Sequence, residues 1–217
     1  MVLLFLIGFL AQVSPLVLFF VFFKRINKIV ELRVIFLYVL TSLISIFLLG
    51  AFKNHSSLII SIFAMVEFSF FSAFFYLVII SKKIKALIIM ISGLALCAEI
   101  VLLYFDKENF DFWVALITAV LIVAYSISYF YEQLNSPETL IIYQSYTFWI
   151  VVGCIIYLSG TLFLFLYTSD LKNKQSSSLW AINISFEIVK NVFFSIAFII
   201  ARKIKQRQEE HTFVDSF

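Results

Sequence analysis

Charge, histidine, cysteine, proline and glycine are all scarce in this 217-residue chain, and each shortage closes off a class of protein. Asp, Glu, Lys and Arg make up only 13% of residues, against roughly 25% in soluble domains. A water-soluble globular domain is therefore excluded. The two histidines, His55 and His211, fall in a connection and in the C-terminal segment. That argues against the intramembrane hydrolases that need several His and Asp residues at membrane depth. Cys97 and Cys154 both lie inside apolar runs, so they read as small packed hydrophobes. No Cys/His spacing suggests zinc, and no metal site is expected. With two prolines and five glycines, long uninterrupted helices are favoured.

What the chain does have is apolar bulk. Hydrophobic residues reach 63%, 28 of them Phe, and the mean hydropathy is +1.07. The apolar runs are continuous rather than alternating, which points to helices and not barrel strands. The expected fold is all-α: a polytopic membrane protein, a bundle of seven transmembrane helices. Its spans fall at 2–23, 34–52, 58–80, 86–105, 112–131, 147–167 and 179–201, and 202–217 forms a charged tail that starts helical and frays. The first span lacks a basic leading region and exceeds the core of a signal peptide, so it reads as a retained helix. Pro15 is a candidate kink. Ser136-Pro137-Glu138 reads as a helix start. The sixth helix either begins there and projects past the hydrocarbon layer, or a short surface helix precedes a span starting at Thr147.

Eleven of the 16 Lys and Arg residues collect on the face holding the 1–2 and 3–4 connections and the tail. Four collect on the other face, and Lys190 lies within a span. Basic residues favour the cytoplasmic side. The expected orientation is N-terminus outside and C-terminus in the cytoplasm, in a bacterial inner membrane. The charge excess is juxtamembrane, so no nucleic-acid partner is expected.

Four ionisable residues sit within spans: Glu67, Glu99, Glu187 and Lys190. At 1.5 Å per residue they lie about 13, 9, 12 and 16 Å below the expected outer ends of their helices. On the seventh span, Asn183, Glu187, Lys190, Asn191 and Phe194 share one stripe. A bare charge facing lipid costs about 2.5–3.5 kcal/mol on insertion scales. The stripe should therefore face other helices. Glu187 can pair with Lys190 at i and i+3. Glu67 and Glu99 have no local partner, so each either carries a proton or reaches Lys190 across the bundle. The set is then either a structural polar clamp joining the third, fourth and seventh spans, or a ligand, ion or proton site in an outward-opening cavity. Gln12, Tyr125, Ser126, Tyr157 and Thr161 could line the same space. Gly153 with Gly160, and Gly93 with Cys97, mark expected close-packing faces. Trp113, Trp149 and Trp180 lie near span ends, as in an interfacial belt.

A lysine on a seventh helix with acids nearby invites comparison with microbial rhodopsins. The acid stands at i−3 where that family expects i−4, and the run AMVEFSFFSAFF lacks its Arg and Trp pattern. Three other stretches, SIFAMVEFSFFSAFFYLVI (61–79), FWIVVGCIIYLSGTLFLF (148–165) and LWAINISFEIVKNVFFSIAF (179–198), resemble a group of bacterial seven-helix integral membrane proteins. That likeness covers about a quarter of the chain. It implies Glu67, Trp180, Asn183, Lys190 and Asn191 as signature positions, leaves Glu187 and Glu99 unmarked, and carries architecture without mechanism.

A third class, a lipid-modifying enzyme, would need a nucleophile–base constellation; the intramembrane Ser and Cys residues have no His partner within the spans, and no catalytic residue is expected. Nor does any motif call for a cofactor. Two functions remain. The first is a small sensory or signal-transducing bundle, with the lipid bilayer and a cytoplasmic or membrane signalling protein as partners. The second is a proton-coupled secondary transporter of a small solute, using Glu67 or Glu99 to carry the proton. The sequence leaves the oligomeric state open.

Overall fold

The computed structural model describes residues 2–105, 110–135, 142–170 and 176–214, and every regular element among them is helical. The helices are α1 (Val2–Val21), α2 (Phe23–Ile26), α3 (Val30–Ala51), α4 (Ser56–Val78), α5 (Lys82–Phe105), α6 (Phe110–Asn135), α7 (Tyr146–Asp170) and α8 (Ser176–Val214). Two single 3₁₀ turns, Lys53–His55 and Ile142–Gln144, lie between them. All but α2 are long and apolar enough to cross a membrane, which makes seven such helices. Packing contacts run from α1 to α3, α3 to α4, α4 to α6, α6 to α7, α7 to α8 and α8 back to α1. Helix α5 rests on α4 and α6.

Aromatic side chains fill the interior. Phe68, Phe71, Phe74 and Phe75 of α4 and Phe194 and Phe198 of α8 are fully buried. Phe19 of α1 stacks on Phe36 of α3 at 4.2 Å between centroids and meets Phe198 edge-on at 5.8 Å. Outward faces are apolar too, with Phe5, Phe20, Phe47, Leu94 and Ile127 exposed. In water such a surface would aggregate; in lipid it is the required solvent-facing side.

The helix ends differ from the sequence expectation in ways that have local causes. The first span stops at Val21, and the chain restarts as α2, whose Ile26 is fully buried. Helix α3 begins at Val30, four residues early, because Ile29 is extended and Glu31 places an acid in the first turn. Pro15 lies within α1. Its missing N–H leaves the Ala11 carbonyl without a donor, and the Ser14 hydroxyl donates to that carbonyl at 2.8 Å.

Helix α5 starts at Lys82 rather than Ala86. Three lysines in its opening residues oppose the helix dipole. The carboxylate of Glu132 offsets them by accepting from the Ile80 and Ser81 backbone N–H groups at 2.8 and 3.0 Å. Glu132 is in position because α6 runs four residues past the expected end, to Asn135.

The Ser136-Pro137-Glu138 helix start falls outside the described residues. A continuous helix from there into the sixth span is nonetheless overturned. The turn at Ile142–Gln144 and the bend at Ser145 interrupt it, and α7 begins at Tyr146. Polar bonds hold that break: Trp149 Nε1 donates to the Tyr143 carbonyl at 2.8 Å, and the Ser145 and Thr147 hydroxyls lie 2.6 Å apart.

The largest difference is at the end. Helix α8 does not stop at Ala201; it runs unbroken through Val214. Its 39 residues span about 58 Å at 1.5 Å each, almost twice the roughly 30 Å hydrocarbon core. The extension is tied back to α2. Arg25 donates to Gln206 at 3.1 Å and lies 3.7 Å from the Glu209 carboxylate, and Arg202 stands over the Phe22 ring at 4.6 Å.

Candidate functional site

Lys190 is 1% exposed, on the inner face of α8 with Phe194, Ala197, Phe198 and Ala201. Close approach on both flanks sets this helix deep. A Cβ at Gly153 of α7 would lie 3.0 Å from the Phe193 Cβ and 3.4 Å from the Lys190 carbonyl. One at Gly8 of α1 would lie 2.9 Å from Ile184. At Gly160 the Phe186 ring occupies the space a side chain would take. Small residues thus let α7 and α1 press on α8. The expected Gly153–Gly160 face is the α7–α8 contact. The expected Gly93–Cys97 face is not a contact: nothing lies within 4 Å of a Cβ at Gly93, and Cys97 is exposed. Helix α5 packs instead through Ile88, Ser92, Ala95 and Glu99, a stripe rotated away from Gly93.

From that inner face the Lys190 ammonium donates to the Tyr38 hydroxyl of α3 at 2.5 Å. The Tyr38 hydroxyl donates in turn to Oε1 of Glu67 on α4 at 2.5 Å. The ammonium and the same Oε1 are 4.0 Å apart. Below the ammonium lies the Tyr157 ring of α7, 3.7 Å to its centroid, a cation–π contact worth about 2 kcal/mol or more when desolvated. Phe71 and Phe194 hold the Tyr38 ring, at 4.7 and 6.2 Å. Four helices therefore converge on one charge. A lone ammonium or carboxylate at this depth would lose its hydration without return; together, with the phenol between them, they satisfy each other.

The remaining sequence candidates are distributed as follows. Glu187 is half-buried on α8, and among the described residues Lys190 takes its carboxylate partner from α4, not from Glu187. The lysine side chain reaches Tyr38 instead. Asn191 is buried beside Lys190 in sequence, and Asn183 is half-buried one turn before Glu187. Glu99 is fully buried but stands outside the cluster, with no hydrogen-bond partner on either oxygen among the described residues. Gln12 joins α1 to α3 by donating to Ser42 at 2.8 Å. Tyr125 joins α6 to α5 through Ser92 at 2.9 Å. Ser126 bonds back to the Ile122 carbonyl. Thr161 is half-buried, one turn along α7 from Tyr157. Of the softer candidates, only Tyr157 touches the Lys190 ammonium.

Trp113 is exposed near the start of α6, whereas Trp149 stacks on Phe193 at 5.6 Å. The Trp180 side chain lies outside the described residues.

Sequence reasoning missed Tyr38, the residue that bridges the pair. A signal was present. Tyr38, Ser42 and Ser45 fall at i, i+4 and i+7 of the second span, a polar stripe in an otherwise apolar run, and all three are buried.

The cluster can hold a proton-sensitive or ligand-sensitive ion pair at the junction of α3, α4, α7 and α8. No group of three or more His, Cys, Asp or Glu among the described residues could hold a metal. Compared with known proteins, the chain matches no family model, no curated protein and no solved structure.

Proposed function

We propose that this chain is a small sensory or signal-transducing bundle in a bacterial inner membrane, with its N-terminus outside and its C-terminus in the cytoplasm. The excess of Lys and Arg on one face supports that orientation. One observation carries the functional reading. The buried ammonium that ties α8 to α3 and α4 sits on the same unbroken helix that runs on to Val214. A ligand, lipid headgroup or proton that captures Glu67 or Tyr38 releases Lys190. The packing of α8 then changes, and a continuous helix carries that change to its charged end at 202–209. A cytoplasmic or membrane protein reads it there.

The test uses spin labels at exposed Lys24 and Lys203 of the full chain in liposomes, with Lys190→Met as the permanently released state. The reading requires the interlabel distance distribution to shift. An unchanged distribution removes the coupling and the proposal with it. Solute flux driven by a pH gradient in the same liposomes, lost in Glu67→Gln, would replace the sensor by a proton-coupled carrier.

A further inference from the structure

The α5–α6 interface holds a second polar layer that the Lys190 cluster does not use. Glu99 is fully buried, and neither of its carboxyl oxygens has a hydrogen-bond partner among the described residues. On α6, Thr118 is buried too, and its Oγ1 is likewise without a partner. Register places the two groups in the same layer of the α5–α6 pair. Phe105 ends α5 and Phe110 begins α6, so the pair is an antiparallel hairpin. The Ser92–Tyr125 hydrogen bond at 2.9 Å pins one layer of it. Two turns from that bond, seven residues along each helix, the same stripes present Glu99 and Thr118.

Among the described residues the surroundings supply no counter-charge. Helix α4 covers this hairpin, and Phe75 meets Tyr125 at 6.1 Å. Seven residues back along α4 stands Phe68, fully buried. Its neighbour Glu67 is turned to Tyr38 and Lys190. Tyr76 of α4 faces Lys85 near the other end of α5. On α6, Tyr125 is bonded to Ser92, Tyr129 to Thr147, and Glu132 to the Ile80 and Ser81 N–H groups. On α5 itself, Lys82 and Lys83 sit in the first turn, and Cys97 and Tyr104 are exposed. A bare carboxylate enclosed this way costs several kcal/mol, so the group needs an occupant.

We propose that Glu99 is an exchangeable proton site, held as a neutral carboxylic acid in the same layer as Thr118 and separate from the Lys190–Glu67 pair. The proton removes the uncompensated charge, and the Thr118 hydroxyl on the facing stripe is a neutral group that can donate or accept. The site stands independently of the sensory reading, since it shares no residue with the Lys190 cluster.

Infrared spectroscopy of the full chain in liposomes tests it. A neutral carboxylic acid has a carbonyl stretch resolved from the carboxylate and amide bands. At neutral pH that band is expected in the wild type, lost in Glu99→Gln, kept in Glu67→Gln and displaced in Glu99→Asp, which preserves the acid. Transfer to D₂O should shift it, reporting exchange, and added sodium should leave it unchanged. Thr118→Val should move its frequency without removing it. Absence of the band at neutral pH, or its survival in Glu99→Gln, overturns the proposal. So does its loss on adding sodium, which would make the site one for a metal cation.

Discussion

Tyr38→Phe removes a single oxygen and isolates the energetics of the whole cluster. The ring and its contacts to Phe71 and Phe194 remain, and so does the ring face 4.9 Å from the Lys190 ammonium. What goes is the hydroxyl that accepts from Lys190 and donates to Glu67. Neutral hydrogen bonds between membrane helices average about 0.6 kcal/mol, with a maximum near 1.7. Bonds to charged groups reach about 1.5–3 kcal/mol each. Both partners here are charged and almost wholly buried, so the upper range applies, and two such bonds amount to about 3–6 kcal/mol. Relaxation offsets part of this. The ammonium and Glu67 Oε1 are only 4.0 Å apart, and a small rotation of Lys190 closes them to direct contact. A net loss of about 2–4 kcal/mol is therefore expected, between the relaxed and unrelaxed limits. Reversible unfolding in mixed micelles measures it, and a double-mutant cycle with Glu67→Gln should return a coupling above about 1 kcal/mol. A Tyr38→Phe cost within about 0.5 kcal/mol, as for an ordinary surface change, would refute the reasoning that the phenol bridges the charges.

Three more outcomes follow from the same contacts. Lys190→Met alone should cost about 3–5 kcal/mol by stranding Glu67, whereas Lys190→Met with Glu67→Gln should recover most of that, because two neutral groups replace a broken pair; unfolding curves of both variants decide it. Gly153→Ala should destabilise by about 1–3 kcal/mol through overpacking at the α7–α8 contact, while Gly93→Ala, in open space, should be neutral or stabilise by up to about 1 kcal/mol from helix propensity. Glu132→Ala should cost about 1 kcal/mol by uncapping Ile80 and Ser81, and amide hydrogen exchange should report faster exchange confined to the α4–α5 turn.

Legibility from sequence varied with the kind of interaction involved. The spans were readable because lipid demands about 20 consecutive apolar residues whatever the helices touch. Helix ends were less so. The start of α5 depends on Glu132, fifty residues away in the chain, and no local pattern announces a cap delivered by another helix. The extension of α8 was hidden by its charged composition, which reads as a tail until Arg25 and Phe22 are brought against it. Glu67 and Lys190 were visible as costly charges in apolar runs. That they meet through Tyr38, and that Glu187 and Glu99 stand aside, depends on helix rotation.

By itself the sequence determined that this is an all-helical chain with seven segments able to cross a membrane, because hydrophobic length and the obligation to satisfy backbone groups within each segment are local properties. It also determined that charges within those segments must find partners or be neutralised. Which partners they found was decided only by the tertiary structure. A polar side chain in a span can turn toward any neighbour its helix packs against, and close approach at Gly8 and Gly153, together with the rotation of α3, α4 and α8, selected Tyr38 and Glu67 for Lys190 while leaving Glu99 without a hydrogen-bond partner among the described residues.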